Sequence, residues 1–432
     1  MPLSLPNRRR LRLSATAAAV LLALLAPALP ASAADPFAAP APPAAAAPSD
    51  AHRTGLDRAA LDRTLRSLHE AGMYGAYSAV RDGDASWQGA AGVADVKTGR
   101  PVTPQLEHRI GSITKTFTSV AVLQQVGEGN IDLDAPVGRY LPDLIPGERG
   151  RAITVRMLLD QTSGINDYDH VIFVKLEDLE KNRHRHYDPT ELARIGLAGP
   201  PLGKPGEAHH YANTNYVIAG LLLRKVTGQA PEKYITDHVI RKAGLRHTYF
   251  PRSARLTGPH SHLYEALYEQ FDPPRDFTDY DMSWAGTAGS LVSTMDDLNR
   301  FTRTLLTGKL LRPSELRQMK TTVPTESPLM RYGLGIFSLD LPNCGRRLWG
   351  HDGLVWGSQT MTLSSEDGRR QMSLGTNLTH YYGVEADGKT PKQGPIDYAR
   401  LAHLGQALCD LPAQGPAAGQ LVPTPDSHQL AR

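Results

Sequence analysis

Gly111-Ser112-Ile113-Thr114-Lys115-Thr116-Phe117 sets a serine and a lysine three positions apart at the start of an apolar run. Three apart on a helix means one face, so the Lys115 ammonium can fold back to the Ser112 hydroxyl among the unpaired N–H groups of a first turn. A serine hydroxyl is a poor nucleophile unless a base stands beside it. Lys115 is that base only if its pKa falls from about 10.4 to about 7–8, which takes burial and neighbouring charge. A lone Ser-x-x-Lys arises by chance in a chain of this length and describes an N-cap beside a solvated lysine equally well. The remaining sequence has to decide between these readings.

With 432 residues, 41% of them hydrophobic, the chain can bury a sizeable core as one large domain or two fused ones. A formal net charge of +3 is too small to imply a nucleic-acid partner. The densest basic run, Arg8-Arg9-Arg10-Leu11-Arg12, precedes an apolar stretch from Ala15 to Leu29 and then Ala31-Ser32-Ala33. That order predicts an export signal over 1–33, cleaved near Ala33, and a secreted mature chain without a membrane anchor. Pro27 and Pro30 argue against a retained span. Residues 34–53, rich in alanine and proline, read as a linker. The folded domain is expected over 54–412, and 413–432 as a disordered tail. Cys344 and Cys409 either pair in an oxidising compartment or stay as buried thiols. Neither lies in a Cys-x-x-Cys or Cys/His pattern that would suggest a metal or thiol chemistry.

Along the chain, Leu56 to Ala71 has helical spacing. Tyr74 to Val80 and Ser86 to Val93, split by Arg81-Asp82-Gly83-Asp84, read as a β-hairpin. The helix from Ser112 carries Phe117, Val120, Ala121, Leu123 and Val126 and should stop at Gly127 and Gly129. Residues 130–285 show helical stretches at 155–159, 190–197, 216–226 and 231–243, with no comparable strand pattern. The loops 166–169 and 260–281 are long enough to be functional. After a helix over 295–307, strands are expected at 332–339, 346–349, 358–363 and 371–377, and a last helix over 395–409. The fold class is therefore α+β: an antiparallel sheet built from both chain ends, flanked by helices, with a mainly helical insertion over about 130–285.

Two further motifs can complete a site around Ser112. Tyr211-Ala212-Asn213 lies at a loop-to-helix junction, where a phenol can pass a proton to a leaving group and an amide can hold a substrate amide. Trp349-Gly350-His351-Asp352-Gly353-Leu354 precedes the strand at Ser358. Its glycines let a substrate backbone approach, an N–H there can help form an oxyanion hole, and the imidazole can supply a donor or a positive charge.

Ser-x-x-Lys, Tyr-x-Asn and His-x-Gly in this order resemble the serine penicillin-recognising family, which comprises DD-peptidases, class C β-lactamases and related esterases. The likeness runs from Leu56 to the last helix and includes 153–165, 213–228 and 286–301. It is greatest to exocellular actinobacterial D-alanyl-D-alanine carboxypeptidases, which pair a His-x-Gly motif with a late disulfide. The resemblance implies the DD-peptidase/β-lactamase fold and an acyl-enzyme reaction without a cofactor. It casts Ser112 as nucleophile, Lys115 as its base, Tyr211 as proton relay, Asn213 as holder of the substrate amide and His351 in the electrostatic and hydrogen-bonding role of a class C lysine. The N–H groups of Ser112 and Leu354 would form the oxyanion hole, Gly353 and Asp352 would line the substrate, Trp284 an acceptor pocket, and Cys344 and Cys409 the disulfide. Peptidoglycan stem peptides and β-lactams are the implied partners, and a monomer is expected. Two positions depart from the pattern: Asp352 stands where carboxypeptidases carry a threonine or serine that binds the substrate carboxylate, and Phe337 where near relatives carry arginine.

His184-Arg185-His186 and His260-Ser261-His262 lack the further ligands of a metallo-hydrolase, and no His-Glu-x-x-His or Gly-x-Ser-x-Gly occurs. A β-lactamase, an esterase and a silent penicillin-binding or sensing module are the alternatives to a carboxypeptidase.

Overall fold

The structure, a computed structural model, describes residues 55–341, 344–383 and 392–411. The expected export signal, the Ala/Pro-rich linker and the tail lie outside the described residues. Asp57 caps the first helix, α1 (Arg58–Glu70), by accepting a hydrogen bond from the Ala60 amide, and Leu61, Leu65 and Leu68 on one face are buried. The hairpin that follows has longer strands than the alternation suggests, β1 (Gly75–Asp82) and β2 (Ala85–Asp95), because pairing continues to Asp82↔Ala85 and leaves only Gly83-Asp84 in the turn. A short β3 (Arg100–Pro101) pairs with β2.

From the far end of the chain come β4 (Val323–Pro324), β5 (Met330–Tyr332), β6 (Phe337–Asp340), β7 (Arg347–Val355), β8 (Ser358–Ser365) and β9 (Arg370–Thr376). Together the strands form one nine-stranded sheet in the order β3-β2-β1-β9-β8-β7-β6-β5-β4, with β1 antiparallel to β9. The single strand expected over 332–339 is two strands, because Gly333-Leu334-Gly335 turns back on itself with Gly335 at φ 75°. The strand expected to end at Trp349 runs on to Val355, so His351 lies inside a strand and is buried. Flanking glycines look like turn residues in a sequence, but here they serve close packing between backbones.

The helix after Ser112 is α2 (Thr114–Gly127), entered through a 3₁₀ turn, Gly111–Ile113. Its residues are buried almost all round, with Phe117 stacked on Phe301 at 3.6 Å between centroids. The next long helices are α3 (Asn213–Thr227), α4 (Met295–Leu306) and α5 (Pro395–Cys409). The inserted region is mainly helical, but the loop 260–281 also carries two short strands, Tyr264–Glu265 and Arg275–Asp276, that pair with each other, the first of them also with Leu378–Thr379. One apolar cluster joins α2, α3 and α4, and a second lies between the sheet and α1 with α5. A Cys344–Cys409 disulfide ties the β6–β7 connection to the end of α5.

His403 of α5 locks the terminal layer to the sheet, its Nδ1 2.9 Å from Thr64 Oγ1 of α1 and its Nε2 3.0 Å from Ser78 Oγ of β1. Burial pushes its pKa down from 6.5 to about 3, so the folded state holds it neutral. The unfolded chain takes up that proton below about pH 6.5, so the stabilisation is complete above that pH and is lost as pH falls toward 3. Urea midpoints measured from pH 7 to 4 should fall, and His403→Gln should flatten the slope by up to about 1.4 kcal/mol per pH unit.

Candidate active site

Two glycines bring the two halves of the site together. Gly111 adopts φ 50°, and a Cβ there would sit 2.7 Å from the Leu354 nitrogen; a Cβ on Gly353 would sit 1.9 Å from the Ile110 oxygen and 2.9 Å from the Ser112 nitrogen. Only hydrogen fits at either position. The consequence is that the Leu354 amide of β7 stands beside the Ser112 amide at the start of α2, where two backbone N–H groups suit an oxyanion.

Lys115, one helical turn on, is wholly buried. Its Nζ lies 2.9 Å from Ser112 Oγ, 2.6 Å from Asn213 Oδ1 and 2.9 Å from the Ala288 carbonyl oxygen. The last two atoms can only accept. A neutral amine has two N–H bonds and one lone pair, so donating to Asn213 and Ala288 leaves the lone pair aimed at the Ser112 hydroxyl. Desolvation pulls the Lys115 pKa from 10.5 to about 7, while Asp167, Asp169 and Asp352 pull the other way. Near neutral pH the lysine is thus available as the base that Ser112 needs.

The Tyr211 ring lies under the lysine, 4.8 Å from Nζ to its centroid, and its hydroxyl is near enough to Ser112 to feel it. Burial raises the phenol well above its ordinary pKa, so Tyr211 stays protonated where Lys115 is neutral. It can donate a proton, not act as the resting base. Tyr216 completes the aromatic wall at 5.7 Å, its hydroxyl donating to the Leu159 carbonyl.

Asn213 opens α3 and its amide is taken up at both ends: Oδ1 by Lys115, Nδ2 by Asp167 Oδ2 at 3.2 Å and by Asp169 Oδ2 at 2.9 Å. His351 is likewise engaged through both ring nitrogens. The Asp352 carbonyl oxygen, an acceptor only, lies 2.5 Å from Nδ1, so Nδ1 carries the proton and Nε2 accepts from the Tyr332 hydroxyl at 2.9 Å. Burial and then the charge of Lys115 hold this imidazole neutral, with its pKa near 3. His351 therefore contributes a packed, hydrogen-bonded strand rather than a positive charge. Phe337 packs on it at 5.6 Å. The Asp352 carboxylate is about one-fifth exposed, 3.6 Å from His351 Nδ1, and lines a cleft with Arg400 of α5. Trp284 is buried against Phe173 and Trp356, and Trp356 follows directly on β7, so this aromatic cluster lies at the Leu354 end of the strand.

Tyr332, Tyr216, the Ala288 carbonyl and the pair Asp167 and Asp169 were not singled out by sequence reasoning. The only signal for the acids was the loop 166–169 and for Ala288 the family-like stretch 286–301; for Tyr332 there was none, since it looks like a strand aromatic. Among the described residues, no group of three or more His, Cys, Asp or Glu side chains could hold a metal ion. Among them also, no helix is long and apolar enough to cross a membrane.

The sequence pattern of the Beta-lactamase family matches residues 61–388. The chain belongs to this family. Among solved structures, a D-stereospecific amidohydrolase from Streptomyces sp. is 33% identical at a TM-score of 0.72, covering 82% of this chain and 99% of that one. The D-amino acid amidase of Ochrobactrum anthropi SV3 shares the fold at 24% identity and a TM-score of 0.65, covering 74% of this chain and 91% of that one. Among curated relatives, the Putative penicillin-binding protein PbpX of Bacillus subtilis (strain 168) is 28% identical, over 62% of this chain and 63% of its own length. Protein flp of Staphylococcus aureus (strain MW2) is 31% identical over 40% of this chain and 34% of its own length. The chain thus spans from a third to under two thirds of these two family members.

The base assignment has a pH signature. With Lys115 as base its neutral form is the one required, so kcat/KM for an ester substrate should rise with pH through a midpoint near 7. Lys115→Ala should lower the plateau by about 10²–10⁴-fold, and Ser112→Ala should abolish the acyl-enzyme seen by intact mass.

Proposed function

We propose that this chain is a serine acyl hydrolase that cleaves amides and esters of D-amino acids through an acyl-enzyme on Ser112. The observation that carries the chemistry is the Lys115 lone pair aimed at Ser112 by two acceptor-only partners. In acylation the Ser112 proton passes to Lys115 as Oγ bonds to the substrate carbonyl carbon, and the oxyanion faces the Ser112 and Leu354 amides. Tyr211 then gives its proton to the leaving nitrogen and is reprotonated from the Lys115 ammonium. Water cleaves the ester by the same path in reverse.

The substrate class rests on Asp352 and Phe337. A carboxylate beside the substrate-binding strand disfavours a substrate that ends in a free carboxylate, Phe337 brings no cation to offset it, and the nearby Arg400 is engaged by Gln359 and Asp397. An amide or ester end carries no such charge. The D configuration is supported by the likeness to the Streptomyces amidohydrolase along nearly its whole length. A second reading, D-alanyl-D-alanine carboxypeptidase acting on peptidoglycan stem peptides and acylated by penicillin, is favoured by the match to PbpX and by the three motifs. The Arg-rich and apolar start of the chain supports export by cleavage near Ala33.

The test is hydrolysis of D-phenylalanine amide, its L isomer and a peptide ending in D-Ala-D-Ala, with benzylpenicillin adducts followed by intact mass. The expected order is D-amide above L-amide by at least tenfold, with the D-Ala-D-Ala peptide slower and improved several-fold by Asp352→Thr. A D-Ala-D-Ala peptide that outruns the amide would favour the carboxypeptidase; no turnover and no adduct would sink both readings. Export is checked separately by N-terminal sequencing of culture-supernatant protein, where a first residue at Ala34 is expected and a retained 1–33 segment would overturn it.

A further inference from the structure

The loop that follows Ser163-Gly164-Ile165 is fastened to the first turn of α3 from several sides. Gly164 sits at φ 69°, and a Cβ there would meet the Gly203 oxygen at 2.1 Å, so only glycine fits. Thr214 Oγ1 donates to the Asn166 carbonyl at 2.7 Å and accepts from the Tyr168 amide at 3.1 Å, while the Tyr168 hydroxyl donates to the Trp284 carbonyl at 2.6 Å. These bonds hold two acids, Asp167 and Asp169, both almost fully buried, behind Asn213. Asp167 Oδ2 accepts from the Asn213 backbone N–H at 2.8 Å as well as from its side chain.

An asparagine amide has two ends of nearly the same shape, and which end faces Lys115 decides whether the lysine can serve Ser112. Reversing it would turn Oδ1 toward two carboxylates and point Nδ2 donors at Nζ, so all the contacts would become repulsive. The acids therefore select one orientation. With Oδ1 toward Nζ, one lysine N–H is committed to Asn213 and the other to Ala288, and the lone pair has a single direction left.

We propose that Asp167 and Asp169 are positioning residues for the acylation step: they hold the Asn213 amide with Oδ1 toward Lys115 and keep a negative field behind the lysine. The proposal rests on the reading of Ser112 and Lys115 as the acyl-forming pair. The field has a definite sign. Other groups that act on or face Lys115 are Tyr211 and Tyr216 from α3 and its approach, and Asp352 and the neutral His351 from β7. Of these only Asp352 is a carboxylate, so the two loop acids make up most of the negative charge that resists neutralisation of the lysine.

The test compares the parent with Asp169→Asn, Asp167→Asn and Asp169→Glu. The pH profile of kcat/KM is measured with p-nitrophenyl acetate, and the Lys115 side chain is titrated by NMR in protein labelled with 13Cε-lysine. In each Asp→Asn variant the Lys115 midpoint and the acid limb should both move to lower pH, by about 0.5–1 unit. Asp169→Glu, which keeps the charge, should return the limb to the parent position even where the plateau is lower. A plateau that falls with an unmoved limb, a limb moved to higher pH, or a Lys115 midpoint indifferent to both substitutions would overturn the proposal. The NMR titration requires no turnover, so a parent that hydrolyses nothing would defeat the acyl-hydrolase reading while the lysine midpoint still judges the role of the acids.

Discussion

A buried lysine with three hydrogen-bond partners governs this structure. Its ammonium form satisfies Ser112, Asn213 and Ala288 at once, and its neutral form satisfies two of them while accepting from the third. Either protonation state is therefore hydrogen-bonded, which keeps the group from costing what an unpaired buried amine would. The surroundings follow from this need. The 3₁₀ turn lifts Ser112 one turn above the lysine, the helical turn Gly286–Gly289 offers a carbonyl, and α3 begins at the residue whose amide closes the set. Desolvation lowers the pKa and three carboxylates limit how far, so the lysine comes to rest near neutrality.

The second constraint is steric. Ser112 comes from a 3₁₀ turn near the start of the folded chain and the facing amide from a strand near its end. They meet only because Gly111 and Gly353 allow two backbones to touch. A methyl group at either place would push Leu354 away from Ser112. The close approach of Ser112 and Leu354 thus depends on two residues that have no side chain, and the group beside Ser112 is one whose side chain is fully enclosed.

Much of this was legible in the sequence, for identifiable reasons. α1, α2, α4 and α5 announce themselves through apolar spacing, and α2 also through Gly127 at its end. Ser112, Lys115 and Tyr211 lie close together in space because their motifs sit at element starts, where side chains are aimed by the backbone. What was hidden has a common cause. His351 between glycines looks like a turn residue, yet its neighbours in space are Tyr332 and Phe337, brought there by sheet register. Asp167 and Asp169 look like loop acids until Thr214 and Tyr168 fix their loop against α3. The orientation of Asn213 is decided by Lys115, Asp167 and Asp169, partners distant in the chain that no local pattern records.

The pairing of β1 with β9 sets a schedule for the chain. Val80 lies opposite Met372, so the N-terminal hairpin waits for a strand made roughly three hundred residues later. At about 5–20 residues per second of synthesis, that is roughly a quarter of a minute to a minute during which one edge of β1 has no partner. The α1 face that will meet α5 is exposed for longer still. Long-range pairing of this kind slows folding and leaves sticky edges on the nascent chain. The last strand and helix therefore act as a clasp: until they arrive, neither the sheet nor the amide beside Ser112 is in place.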